Sequence, residues 1–187
     1  MAYPDSRRDP HIRPVAAALL CCALLAGCGG YDVVRSGNAG HYAVLAPHSV
    51  KVVLYDRDIE LKVSRHERGW SAAPPDAEDK RQAHTRAVEV RKVLVPALFK
   101  GVSDQLAPYA NYRDPTFQLS LQITRIVMDT DGSAEVNVTA TLSRVGRGDI
   151  WLRTVRSIRS RFGSDAGLAD DLAHAVLAEL RASGLIA

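Results

Sequence analysis

Cysteine is scarce in this sequence, with three residues among 187. Two of them, Cys21 and Cys22, lie in an apolar segment near the N-terminus, and the third, Cys28, follows that segment closely. The chain beyond Cys28 contains no thiol, which excludes disulfide bonds, cysteine metal ligands and a cysteine nucleophile there. The body of the protein must therefore be held together by packing alone.

The sequence also has little net charge and no catalytic motif. A formal net charge of +3 is too small for a nucleic-acid-binding protein. A Gly-x-Ser-x-Gly elbow and a phosphate-binding loop are both missing. Zinc ligands converge, commonly at short spacings. Five of the six histidines are instead scattered along the chain after the leader: His41, His48, His66, His84 and His174. We expect no enzyme activity, no metal, no cofactor and no nucleic-acid partner.

The longest uninterrupted apolar segment, Val15–Ala26, has only 12 residues. A membrane-spanning helix needs about 20 apolar residues, so we do not favour a spanning anchor. Arginines precede the segment and small residues follow it, an order typical of a secretory signal peptide. The pair Arg7-Arg8 suggests a twin-arginine signal, but Asp9 and Pro10 follow it, which favours the general secretory route. The predicted signal peptide covers residues 1–27.

The end of this segment, Leu25-Ala26-Gly27-Cys28, resembles the lipobox of bacterial lipoproteins. The resemblance implies that the Cys28 thiol receives a diacylglyceryl group before the leader is removed. The alternative is a signal peptide cut elsewhere without lipidation. Gly29, by the same resemblance, favours the outer membrane over the inner one. We expect a lipid-anchored protein of the bacterial cell envelope that faces the periplasm.

The segment after the lipobox is rich in glycine, serine and asparagine, which predicts a flexible tether over residues 28–47. A single domain is expected over residues 48–187. Within Ser49–Arg65, apolar and polar residues alternate on both sides of Asp56-Arg57-Asp58. Alternation of this kind predicts β-structure, either a hairpin or one bent strand.

A helix is predicted from Asp76, which can cap the first turn. Its apolar stripe recurs every three or four residues, at Ala83, Ala87, Val90, Leu94, Leu98, Val102 and Leu106. Pro96 lies inside this pattern and removes one hydrogen bond of the helix. Two interpretations stay open: one long helix kinked at the proline, which we favour, or a strand over Ala87–Val95 that leads into a shorter helix.

Three strands with short turns are predicted after residue 116, and they make an antiparallel meander. The first turn, Asp129-Thr130-Asp131-Gly132, resembles the start of a calcium loop, but the twelfth position is Ala140 where such loops carry Glu, which favours a plain turn. In the third strand, Ile150, Leu152, Ile158 and Phe162 are expected to face the core. A C-terminal helix follows, with an apolar stripe at Leu168, Leu172, Val176 and Leu180 and an end near Gly184.

The order of these elements predicts an α+β fold. We expect a two-layer sandwich, in which an antiparallel sheet, made of the meander and the N-terminal β element, is covered on one face by two helices. The third strand concentrates positive charge at Arg153, Arg156, Arg159 and Arg161. These residues either protect a sheet edge from aggregation or form an interaction surface for an acidic partner or anionic lipid headgroups.

The layout of the whole chain resembles small envelope lipoproteins, such as the auxiliary lipoproteins of ABC-type transporters. The resemblance implies a non-catalytic accessory or interaction subunit of an envelope transport or assembly complex. The alternative is a module that binds a lipid or another hydrophobic ligand in the periplasm. A filled core favours the first function, and a loose apolar interior favours the second.

Overall fold

The computed structural model describes residues 31–38, 44–64 and 76–187. The predicted leader, the lipobox residues Leu25, Ala26 and Gly27, and the predicted lipidation site Cys28 lie outside the described residues. The described chain forms six strands and two helices: β1 (Tyr31–Asn38), β2 (Val50–Tyr55), β3 (Glu60–Ser64), α1 (Ala77–Gln105), β4 (Phe117–Asp129), β5 (Ala134–Arg144), β6 (Gly148–Arg159) and α2 (Asp165–Ala182). A short 3-10 turn, Ala107–Tyr109, joins α1 to the segment before β4.

The strands form one mixed sheet in the order β1, β6, β5, β4, β2, with β3 also paired to β4. The α+β class is confirmed. Neighbouring strands from β1 to β4 run antiparallel, whereas β2 and β3 run parallel to β4. The expectation of a purely antiparallel sheet is therefore wrong at this edge. The reason is that α1 lies between β3 and β4 in the chain and supplies the long crossover that parallel pairing needs.

Strands β2 and β3 are two halves of one bent edge, because they pair with successive parts of β4. Strand β2 ends opposite Gln122, and β3 begins opposite Arg125. A register irregularity in β4 lies between these two positions, at Ile123/Arg125. The link bends at Asp58, which has a φ of 58°, a left-handed conformation that Asp tolerates better than most residues. The hairpin alternative for this segment is excluded.

Strand β1 lies inside the segment that the composition predicted as a tether. It pairs antiparallel with β6, from Tyr31 opposite Ser157 to Asn38 opposite Trp151. Leu45 is also buried, and its backbone N–H donates to the Leu185 carbonyl at 2.8 Å. The compact unit therefore extends over Tyr31–Ala187 and does not begin at residue 48. Pairing with the open edge of β6 outweighs the flexibility that glycine and serine confer locally.

Helix α1 begins where its capping residue predicts and runs through Pro96 as one helix of 29 residues. The Asp76 carboxylate accepts hydrogen bonds at 2.8 Å from the backbone N–H groups of Glu78 and Asp79. Every residue of the predicted stripe, Ala83 to Leu106, is buried. The alternative of a strand over Ala87–Val95 is wrong. A stripe that long stabilises the helix by burial on both sides of the hydrogen bond that proline removes.

Helix α2 also follows its sequence signals. The Ser164 hydroxyl caps it by accepting from the Gly167 N–H at 2.9 Å. Beyond its last residue, Ala182, Gly184 adopts a φ of 68°, a left-handed conformation that glycine adopts at little cost. The predicted stripe residues of α2 are buried in the same hydrophobic core as those of α1 and the inner residues of the sheet. Helix α1 contacts β2, β3 and β4, and α2 contacts β6 and β1.

The two helices contact each other closely at Gly101. A Cβ atom placed there would lie 3.1 Å from the Cβ of Ala173, which is tighter than ordinary packing. We expect Gly101→Leu to lower the free energy of unfolding by about 2 kcal/mol, because the larger side chain must push the helices apart. Urea unfolding measures this change.

Lys100→Leu is the matched control, because it places the same side chain one residue away at an exposed position. It removes only the exposed ion pair with Asp104, which is worth about 0.5 kcal/mol or less. Equal losses for the two variants would show that the close contact at Gly101 does not limit helix packing.

Candidate interaction surface

The face of β6 that packs against the core is not the face that the sequence predicts. Trp151 and Val155 are buried to 1% and 0% exposure, whereas Ile158 and Phe162 are 61% and 84% exposed. The register with β5 explains this, since Trp151 pairs with Leu142 and Val155 with Val138. Residues that pair directly across a sheet share a face, and both partners on β5 are buried. The expectation of a core position is wrong for Ile158 and Phe162, whereas Ile150 packs, partly buried, against the core.

Arg153 lies on the inner face of β6, where α2 covers it. Its guanidinium bonds the Glu179 carboxylate at 3.2 Å and lies 5.4 Å from the centre of the Trp151 ring. Only 12% of its side chain is exposed. Trp151 also connects β6 to the end of α2, since its Nε1 donates to the Ser183 hydroxyl at 2.9 Å. Arg153 therefore fastens α2 to the sheet.

Arg159 is the most deeply buried of the four arginines, with 4% of its side chain exposed. It donates to the carbonyls of Gly132 and Gly163, both at 3.0 Å. Its Nε also lies 3.1 Å from the Asp165 carboxylate, a charge contact without hydrogen-bond alignment. One side chain thus joins the β4–β5 turn, the loop after β6 and the first turn of α2. Arg159 therefore holds parts of the domain together and does not form an exposed surface.

Arg156 and Arg161 occupy two further environments. Arg156 lies on the outer face, paired with Asp32 and 3.9 Å from Glu135. The hydrogen bond to Asp32 raises the pKa of Arg156 above its usual value. Arg161 lies beyond the end of β6, exposed, with its guanidinium 4.4 Å from the centre of the Phe162 ring. The four arginines therefore do not form one surface.

The outer face of β4 and β5 is polar and uncharged along much of its length. Its residues alternate with core residues, so they lie on the opposite side of the sheet. They are joined by hydrogen bonds such as Thr139 Oγ1 to Thr154 Oγ1 at 2.9 Å and Gln118 Nε2 to Ser120 Oγ at 3.0 Å. The alternation of apolar and polar residues along β4 and β5 in the sequence is typical of such a face. It offers hydrogen-bonding groups with little charge.

A groove that the sequence did not reveal runs between the β2–β3 link and α1. Its wider part has a volume of about 450 Å³ and is lined in part by Ile59, Leu61, Ala87 and Val88. It continues along α1 past Val95 and Pro96. The apolar residues of the β2–β3 link and of α1 are far apart in the sequence, so they form this groove only when the chain folds. Leu61 and Val88 remain 36% and 37% exposed.

One ion pair crosses this groove, between Arg91 Nη2 and Asp56 Oδ2 at 2.7 Å. The hydrogen bond from Arg91 holds the pKa of Asp56 below its usual value. Arg57, Asp58 and Lys92 also line the groove, so charges of both signs lie among its apolar residues. Such a surface suits a partner with an apolar anchor and polar groups around it.

The described residues contain no cluster of three or more histidine, cysteine or acidic side chains that could hold a metal. The turn considered as a calcium loop is a hairpin turn, in which the Asp131 carboxylate accepts from the Ser133 N–H at 2.7 Å. Gly132 adopts a φ of 89° there. Neither helix in the described part of the chain has the length and apolarity to cross a membrane.

The sequence matches no protein-family model and no curated protein. Among solved structures it is similar to two dodecamers of PelC from Paraburkholderia phytofirmans, one of which carries a single substitution. Each is 17% identical to this chain, and the alignments cover 81% of this chain and 97% of the PelC chain. The TM-scores are 0.42 and 0.39. At these scores no property of this chain follows from either similarity.

Proposed function

We propose that this chain is a lipid-anchored, non-catalytic interaction subunit of a bacterial cell-envelope complex for transport or assembly. Cys28 carries the lipid, and the domain faces the periplasm from the outer membrane. The leader and lipobox residues, read from the sequence, support the anchor. We also propose that the two helices form one layer over the sheet, which leaves the polar face open.

The filled interior is the observation that carries this proposal. Side chains of both helices and of the sheet are fully buried in one hydrophobic core, among them Val90, Leu94 and Leu98 of α1 and Leu121 and Val138 of the sheet. A carrier that encloses a hydrophobic ligand instead needs a cavity in its interior. With its interior occupied by its own side chains, the domain is suited to act through its surface.

The groove beside α1 is the surface that we assign to the partner. Val88 lines it, about one-third exposed, next to the Asp56–Arg91 pair. We expect Val88→Lys to reduce recovery of the partner by about tenfold, equal to about 1.4 kcal/mol, because the substitution buries a charge in an apolar contact. The measurement is a pull-down of the acylated protein from native membranes in detergent, with quantitative mass spectrometry.

Val93→Lys is the matched control for this experiment. Val93 is on the same helix, is 43% exposed and does not line the groove. Recovery of a stoichiometric complex with the unchanged chain and with Val93→Lys, but not with Val88→Lys, supports the assignment. Absence of a stoichiometric protein partner, despite acylated Cys28, contradicts the proposed function.

The groove also favours the alternative function, a module that binds a lipid or another hydrophobic ligand. Its volume of about 450 Å³ is within the range of small-molecule sites, roughly 300–1,000 Å³. Lipid analysis of the same pull-down separates the two functions. A stoichiometric lipid without a protein partner, lost in Val88→Lys, supports the ligand-binding module.

A further inference from the structure

The register of β1 determines where the N-terminal segment leaves the domain. Tyr31, the first residue of β1, pairs with Ser157 near the end of β6. Its hydroxyl donates to the Glu179 carboxylate at 3.2 Å, and the next residue, Asp32, is paired with Arg156. The start of β1 is therefore fastened at the end of the sheet where β6 finishes.

The chain between Cys28 and Tyr31 is very short. Three residues of fully extended chain span at most about 11 Å. A lipid attached to Cys28 would therefore hold this end of the sheet close to the bilayer surface. A tether of twenty residues would have left the orientation of the domain free, whereas a connection of this length restricts it.

The same end of the sheet presents an exposed aromatic side chain. Phe162 lies in the turn between β6 and α2 and is 84% exposed, with the Arg161 guanidinium over its ring. The turn is held by the Gly163 N–H, which donates to the Ser160 carbonyl at 2.9 Å, and by Arg159, which donates to the Gly163 carbonyl. The phenyl ring is thus presented to solvent by a braced turn.

We propose that the turn of residues 160–163 is a membrane-contact site, in which Phe162 enters the bilayer interface and Arg161 contacts lipid phosphates. The inference rests on the proposed lipid anchor at Cys28. Aromatic rings partition into the interface, and guanidinium groups bind phosphate oxygens. The nearby β4–β5 turn carries Asp129 and Asp131, which limits the attraction to anionic lipid, so the apolar contact of Phe162 supplies most of the binding.

The test uses the acylated full-length product in vesicles of phosphatidylethanolamine and phosphatidylglycerol. Phe162→Trp places an indole on the turn, and lipids with acyl chains brominated near the headgroup quench an indole that touches them. The matched variant is Val145→Trp, because Val145 is 57% exposed and lies in the β5–β6 turn at the opposite end of the sheet. The emission of the unchanged chain is subtracted from both.

We expect brominated lipid to remove most of the emission added by Phe162→Trp and little of that added by Val145→Trp. No quenching of Phe162→Trp, or equal quenching of both variants, overturns the proposal. A blue shift of Phe162→Trp without quenching also overturns it, because a protein or a second copy then covers the turn. Mass spectrometry of the same sample reports Cys28: if acyl groups are present, failure concerns the turn alone, and if they are absent, the proposed function fails as well.

Discussion

Replacement of Arg159 by methionine lowers the free energy of unfolding by about 3 kcal/mol, the loss expected when one partner of a buried ion pair is removed. The Asp165 carboxylate, 11% exposed, loses its nearest cation. The carbonyls of Gly132 and Gly163 lose their donor as well. Arg86, 3.4 Å from Asp165, compensates for only part of the charge. Urea unfolding followed by circular dichroism measures the change.

Arg161→Met is the matched control, because Arg161 is two residues away and exposed, and its guanidinium contacts the Phe162 ring instead of a buried carboxylate. We expect it to change the stability by about 0.5 kcal/mol or less. A second test is the double variant Arg159→Met/Asp165→Asn, which removes the unpaired charge and should recover part of the loss. Similar losses for the two arginine variants, or no recovery in the double variant, would contradict the bracing role of Arg159.

We expect Cys28→Ser to abolish the proposed acylation of the chain and to leave the leader attached. The lipobox resemblance implies that the thiol is modified before cleavage, and serine offers no thiol. Intact-mass spectrometry of the membrane-extracted protein measures the result directly. We expect the unchanged chain to have lost residues 1–27 and gained the mass of its acyl groups, and the variant to have the mass of the uncleaved, unmodified chain.

Cys21→Ser is the control for this prediction, because Cys21 lies within the apolar segment of the predicted leader and would be removed with it. We expect this variant to give the same acylated mature mass as the unchanged chain. Two acyl chains give stable attachment to a bilayer, whereas one chain gives only marginal attachment. An unmodified Cys28 in the mature protein would refute both the lipid anchor and the orientation derived from it.

The two helices show how much local sequence could determine. The stripe from Ala83 to Leu106, the cap at Asp76 and the turn at Gly184 each depend on residues within one or two helical turns. Sequence signals that involve only residues one or two turns apart do not depend on the rest of the fold. The signal-peptide and lipobox interpretation has the same local basis, since it depends on adjacent residues.

The sheet shows where local sequence was insufficient. The alternation in β6 was compatible with either face, and only the register with β5 placed Trp151 and Val155 inside. The parallel pairing of β2 and β3 depends on the crossover through α1. Strand β1 forms because it pairs with the free edge of β6. The residues of Tyr31–Asn38 do not by themselves indicate that this edge is available. Pairing partners are distant in the sequence, and a shift of one residue exchanges the two faces.

The arginines of β6 and of the segment after it show what the sequence determines and what the tertiary structure determines. The sequence by itself determined that Arg153, Arg156, Arg159 and Arg161 are close along one stretch of chain, and that a segment resembling a lipobox precedes the domain. Only the tertiary structure decided that Arg153 and Arg159 face inward, that Arg156 faces outward and that Arg161 lies exposed beyond the end of β6. The physical reason is that the charge of a side chain is set by its residue type. Its burial and its contact partners depend on which strands and helices pack together.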